Sequence, residues 1–179
     1  IDALRARFSE EAAVEEVYER IGRQGLRYGP SFRLLRRAWR GPAEALGEVL
    51  LEDSAIETDG YFFHPALLDA CLHVIAALGE ADRPGPFLPV SLERFEALGR
   101  PSRRLWSHAV LRAAEGGATA GGLTADVDVI DPDGRRIARV VGLEFRQLAS
   151  AGDPMTKPRV EIASGPPKRA PWLKRLEQV

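Results

Sequence analysis

The chain lacks most of what would mark a secreted, metal-bound or membrane-spanning protein. Of its 179 residues one is cysteine, Cys71, so neither an intrachain disulfide nor a cysteine-built zinc site can form, and a reducing, cytoplasmic setting is expected. No apolar run approaches the roughly 20 residues that cross a bilayer, and no membrane association is expected. With 25 basic and 26 acidic residues the formal net charge is −1, which removes any global electrostatic case for nucleic acid or an anionic membrane surface. The first residues, Ile1-Asp2-Ala3-Leu4-Arg5, have no signal-peptide pattern and no initiator methionine, and they read as cut from a longer polypeptide. There is no internal repeat and no GxSxG nucleophile elbow. The glycine-rich stretch 116–122 lacks the Lys-Ser/Thr ending of a phosphate loop and no helix follows it, so it reads as a hairpin loop.

What is present suits a globular core. Hydrophobic residues make up 45% and charged residues 28%, enough for one ordinary domain with or without a tail. The spacing of Val14, Val17, Tyr18 and Ile21 predicts a helix over 9–24, with Ser9 as N-cap, Glu10 and Glu11 in the first turn and Gly25 at the end. It reads as a surface helix packed on the domain or as a helix joining two domains. Strands are expected near 33–40, 44–52, 87–97, 104–113, 122–130 and 136–147, the last two joined by the turn Asp131-Pro132-Asp133-Gly134. After Ser150 the prolines at 154, 158, 166, 167 and 171 mark a linker. Strands follow strands rather than alternating with helices, so the class is α+β with an antiparallel sheet wrapped around one helix.

That helix is expected over 65–79, opened by Pro65 and closed by Gly79. Leu68, Cys71, Leu72, Ile75 and Leu78 make it apolar nearly all round, so it must be largely buried, and a single unit would leave an apolar flank uncovered. Asp69 and His73 interrupt it at i and i+4, on one face. A carboxyl among apolar neighbours holds its proton more tightly than in water and becomes a proton donor, which a departing hydroxyl needs. His73 can fix its rotamer. A structural Asp–His pair has the same spacing, and His64, Asp69 and His73 lie close enough in sequence for a metal reading to be weighed. His108 stands alone on a strand and reads as a satisfied or surface residue. Cys71, on the apolar face, reads as core rather than nucleophile.

Three segments together resemble one family. His64-Pro65-Ala66-Leu67-Leu68-Asp69-Ala70-Cys71-Leu72-His73 is similar to the HPxLLDxxxQ/H segment of type I polyketide synthase dehydratases, Tyr28-Gly29-Pro30-Ser31-Phe32 to their GYGPxF motif, and Leu88-Pro89-Val90-Ser91-Leu92 to their LPFSW motif. The order is the family's, and the resemblance covers roughly 12–148. Arg27 stands where the family usually has glycine, and Val90 and Leu92 replace its Phe and Trp.

The resemblance implies a double hotdog, two sheet-around-helix units in one chain, of which this sequence matches the second. Residues 1–25 would then be a linker and leading helix, 26–149 the hotdog and 150–179 a linker toward the next domain. The first unit of the family carries a catalytic His in an HxxxGxxxxP motif, which follows none of His64, His73 or His108 here. The implied reaction is elimination of water from a 3-hydroxyacyl thioester carried on the phosphopantetheine of an acyl carrier protein. Asp69 would be the acid and His73 its positioning partner. Tyr28, Gly29, Pro30, Phe32, Leu88 and Pro89 would line the substrate site, with His64 and Pro65 structural beside it. No metal or redox cofactor is implied. The implied partners are the first hotdog, the carrier protein and neighbouring synthase domains, with a homodimer as a further expectation. The isolated chain is expected to be inactive. The alternatives are a non-catalytic pseudo-dehydratase and a double-bond isomerase or cyclase on the same scaffold.

Overall fold

The computed structural model describes residues 1–52, 60–78, 87–112 and 122–147. The expected turn residue Gly79, the glycine-rich stretch up to Gly121 and the proline-rich linker after Ser150 lie outside the described residues. In chain order the elements are α1 (Asp2–Arg5), β1 (Glu10–Ala12), α2 (Val14–Arg23), β2 (Leu35–Arg40), β3 (Glu44–Leu50), α3 (Pro65–His73), β4 (Phe87–Ser91), β5 (Arg94–Ala97), β6 (Arg104–Leu111), β7 (Gly122–Ile130) and β8 (Arg136–Gln147).

All pairings among the described strands are antiparallel, in the order β1-β2-β3-β6-β7-β8-β4, with β5 also against β8. The strands alternate as a half-covered sheet must. On the inner face Ala45, Val49, Leu105, Ala109, Ala125, Val127 and Val129 join the core around α3. On the outer face Trp39 and Leu46 pack with Phe8, which folds over them from the N-terminal segment. Trp39 stacks on Trp106 at 5.8 Å between ring centroids, and the Arg5 and Arg37 guanidiniums lie 4.4 and 4.6 Å from the Trp39 ring.

Gly47 lets the turn that follows α3 lie close to the sheet. A Cβ there would come within 2.7 Å of Leu35 Cδ1 and 2.9 Å of Val74 Cγ2, distances that close packing does not allow. α3 is capped by His64, whose Nδ1 accepts from the Ala66 N–H at 3.2 Å, with Pro65 at the first helical position. After His73 the chain tightens into a 3-10 turn, Val74–Leu78. Ser107 Oγ on β6 donates to the Cys71 carbonyl at 2.6 Å and ties the helix to the sheet.

Two expectations are corrected. The helix expected over 9–24 begins only at Val14; Glu10–Ala12 instead forms β1, an edge strand opposite Arg40, Trp39 and Ala38. The acidic pair suits a helix start, but it also suits an edge strand facing arginines: Glu10 pairs with Arg40, and Glu11 with Arg37 at 3.1 Å. The strand expected over 87–97 is two strands. β8 bends at Gly142, φ +62°, a backbone geometry that glycine adopts without strain. β5 follows the free edge of β8 before the bend, at 138–141, and β4 follows it after, at 144–147.

Part of the expected apolar flank remains on the helix, and further apolar surface lies on the sheet. Ala66, Leu67, Ala70 and Cys71 are buried; the partly exposed stripe of the helix is Leu68, Asp69, Leu72 and Ala76. Among the described residues, Val90, Leu92, Phe95 and Leu98 on and beside β4 and β5 are each at least 40% exposed, and Phe32, Tyr61, Phe62 and Val110 are exposed elsewhere.

Candidate active site

The helical spacing brings Asp69 and His73 together as anticipated. His73 Nε2 lies 3.1 Å from Asp69 Oδ2. The imidazole is 5% exposed while the Asp69 side chain is 35% exposed, so the histidine sits behind the carboxyl, and the carboxyl faces outward. Two tyrosines close around the ring. Tyr28 lies with its ring centroid 4.2 Å from that of His73, and Tyr18 on α2 meets it edge-on with its Oη 3.4 Å from His73 Nδ1. Burial pushes both phenols up, with the Asp69 charge acting in the same direction; both are neutral hydroxyls at physiological pH.

The pair opens on a cavity of about 100 Å³ with largely apolar walls. Tyr28, Asp69, His73, Leu88 and Pro89, all anticipated, line it. Gly29, Pro30 and Phe32 are not among the lining residues: Pro30–Phe32 form a 3-10 turn, Phe32 is exposed, and its ring centroid is 6.4 Å from that of Tyr28. The walls that sequence reasoning missed come from α2 (Arg20, Ile21), from Gln24 just after it, and from the strands (Leu111, Leu123, Phe145). Arg20 is held in place by its guanidinium donating to the Ala76 carbonyl. The helical face of Val17, Tyr18 and Ile21 was legible, but nothing local says that this face closes a cavity against residues some fifty positions away.

The other chemistry-bearing residues stand apart. His64 caps α3 and meets the Tyr61 ring edge at 5.1 Å. His108 lies on β6, packs edge-on against Phe8 at 6.1 Å and has its Nε2 2.8 Å from Glu44 Oε2. Cys71 is fully buried, and burial pushes its thiol up, so it stays protonated and inert. Among the described residues no group of three or more His, Cys, Asp or Glu side chains is placed to hold a metal ion, and the His64, Asp69, His73 set is not such a group.

Residues 2–155 match the family model described as the polyketide synthase dehydratase N-terminal domain. The chain belongs to the polyketide synthase dehydratase family. The spectinabilin polyketide synthase system protein NorA' of Streptomyces orinoci is 49% identical over 78 residues, 44% of this chain and 2% of that protein. Polyketide synthase GfsB of Streptomyces halstedii is 35% identical over 150 residues, 78% of this chain and 2% of that one. Among solved structures, the dehydratase domain from the CurJ module of curacin polyketide synthase superimposes with a TM-score of 0.74 at 25% identity, over 83% of this chain and 53% of that chain. The chain thus spans a small fraction of these curated relatives and about half of that solved dehydratase. This dehydratase-family chain has the hotdog fold that the motif resemblance implied, an antiparallel sheet around α3. No helix among its described residues is long and apolar enough to cross a membrane.

Proposed function

We propose that this chain is the acid-bearing half of a dehydratase that eliminates water from a 3-hydroxyacyl thioester held on the phosphopantetheine of an acyl carrier protein. The observation that carries the reading is the Asp69 carboxyl at the mouth of an apolar cavity, backed at 3.1 Å by a buried histidine. A base removes the proton α to the thioester carbonyl, the electron pair forms the double bond, and the β C–O bond breaks as Asp69 protonates the leaving hydroxyl, releasing water and a 2-enoyl thioester. Asp69 lines the cavity and its carboxyl is open to it, as a group that hands a proton to a leaving oxygen must be. Tyr28, Leu88 and Pro89 wall the acyl chain.

None of the described histidines suits the base: His73 is engaged with Asp69, His64 caps a helix, and His108 lies beside Glu44 and Phe8. In line with what the family resemblance implies, this reading assigns the base to a first hotdog unit and this chain to the second. Although the matching family model is described as an N-terminal domain, the second-unit assignment is supported by the motifs at 28–32, 64–73 and 88–92. The 53% coverage of the solved CurJ dehydratase is what one hotdog of two would give. The remaining partners in this reading are the carrier protein and the neighbouring synthase domains.

The test is Asp69→Asn in the complete dehydratase, with enoyl thioester formation followed by mass spectrometry. Loss of a general acid costs about 10²–10⁴-fold, and that fall is expected with folding intact by circular dichroism. Turnover within a few fold of the parent would overturn the assignment of Asp69 as the acid.

A further inference from the structure

We infer that Tyr18 is a positioning residue for the dehydration: its hydroxyl fixes the tautomer of His73, and so decides which oxygen of Asp69 holds the acid proton. The inference rests on the reading of Asp69 as the acid. It is carried by a chain of contacts running from the sheet to the cavity. The Leu35 backbone N–H, a donor that cannot reverse, gives its hydrogen to Tyr18 Oη at 3.2 Å. The inferred arrangement gives the single hydroxyl hydrogen of Tyr18 to the other neighbour of that oxygen, His73 Nδ1, 3.4 Å away. A neutral imidazole has one donor and one acceptor nitrogen. With Nδ1 accepting, Nε2 carries the hydrogen and donates to Asp69 Oδ2 at 3.1 Å.

The direction of that last bond has a chemical consequence. In the opposite tautomer, Nε2 would be a bare lone pair facing Asp69, and the acid proton would settle between the two residues, away from the substrate. With Nε2–H donating, Oδ2 is occupied as an acceptor and the carboxyl carries its proton on Oδ1, where a leaving hydroxyl can take it. Tyr18 and His73 are both buried, at 9% and 5% exposure, so water does not compete for Nδ1. Burial pushes the phenol up and keeps it a donor across the working pH range. The Arg33 guanidinium 4.6 Å above the Tyr18 ring holds the ring's outer side.

This arrangement also explains why glutamine can stand in for histidine at the end of the family's motif. A glutamine side-chain amide always has N–H donors to offer a carboxyl, so it has no tautomer to be fixed. Tyr18 should therefore matter with histidine at position 73 and matter much less with glutamine there.

Two measurements test the idea. First, nitrogen-15 NMR of the His73 ring in the unaltered chain reads the tautomer directly, with no activity needed. The Nε2–H form is expected; a predominant Nδ1–H form or an imidazolium at neutral pH overturns the inference. Second, Tyr18→Phe is compared in the complete dehydratase carrying His73 and carrying His73→Gln. Groups that orient another functional side chain typically contribute about 10–100-fold. A fall in kcat of that size is expected with His73, largely abolished in the His73→Gln background, with KM little changed. An equal loss in both backgrounds, or no loss in either, overturns it. Failure of Asp69→Asn to impair turnover would sink the functional reading while leaving the tautomer measurement standing, so the two failures are distinguishable.

Discussion

Cys71 and His73 sit two positions apart on one helix, both buried, and differ in what they can still do. Cys71 is surrounded on all sides, its carbonyl is taken by Ser107, and its thiol is held protonated. His73 has polar partners on both ring nitrogens, one leading to the sheet and one to the cavity. A buried polar side chain with both ends satisfied costs little to keep, whereas removing one partner strands the other. This sets an ordering for substitutions at position 73 in the complete dehydratase. His73→Gln, which still donates to Asp69, should keep turnover within about 10-fold of the parent, while His73→Leu should lower it by about 10–100-fold, in line with other orienting side chains. Steady-state kinetics on both variants decide it; equal turnover for Gln and Leu would show that the hydrogen bond to Asp69 has no part in the reaction. The Asp69–His73 pair was legible from the sequence because helical geometry alone makes i and i+4 neighbours. Tyr18 was legible only as a core-facing helix residue: its meeting with His73 spans 55 positions, and no local periodicity encodes a contact of that range.

At the scale of elements, legibility followed whether the deciding interaction was local. β2, β3, β6, β7 and β8 fall within about two residues of their expected bounds, because alternation and turn residues are properties of the segment itself. β1 was misread as helix because its pairing with β2, and the arginines it meets there, lie far along the chain. β4 and β5 were read as one strand because the bend that separates them is in β8, at Gly142. Glycines with similar sequence surroundings make opposite predictions for the same reason. At Gly47, an added methyl runs into Leu35 and Val74, and a β-branched valine in a tight turn cannot swing aside. Gly47→Ala should therefore destabilise the chain by about 1–3 kcal/mol. At Gly22, inside α2, a Cβ meets nothing within 4 Å, and Gly22→Ala should stabilise by about 0.5–1 kcal/mol. Urea unfolding midpoints at constant slope report both. A neutral Gly47→Ala would mean that Leu35 and Val74 can give way, and that the turn after α3 is not packed tightly against the sheet.

For the whole molecule, the sheet itself shows where covering is missing. β1, at one end of the strand order, carries Glu10 and Glu11 paired to arginines, a charged edge of the kind that resists adding strands. The other end is different. Val90, Leu92, Phe95 and Leu98 are exposed around β4 and β5, next to Leu88 and Pro89 of the cavity wall. Apolar surface of a few hundred Å² is worth several kcal/mol of association at about 25 cal/mol per Å². The net charge of −1 adds little steering. The chain alone is therefore expected to self-associate at low micromolar concentration, or to pair with a separately produced first hotdog when one is supplied. Sedimentation equilibrium measures this, and Leu92→Glu with Phe95→Glu should return the chain to a monomer without changing its circular dichroism, because neither side chain belongs to the core around α3. This surface adjoins Leu88 and Pro89, which line the cavity, so a partner seated on it would also reach the cavity wall. Association that survives the double glutamate substitution, or a parent chain that stays monomeric at high concentration, would rule out β4 and β5 as the partner surface.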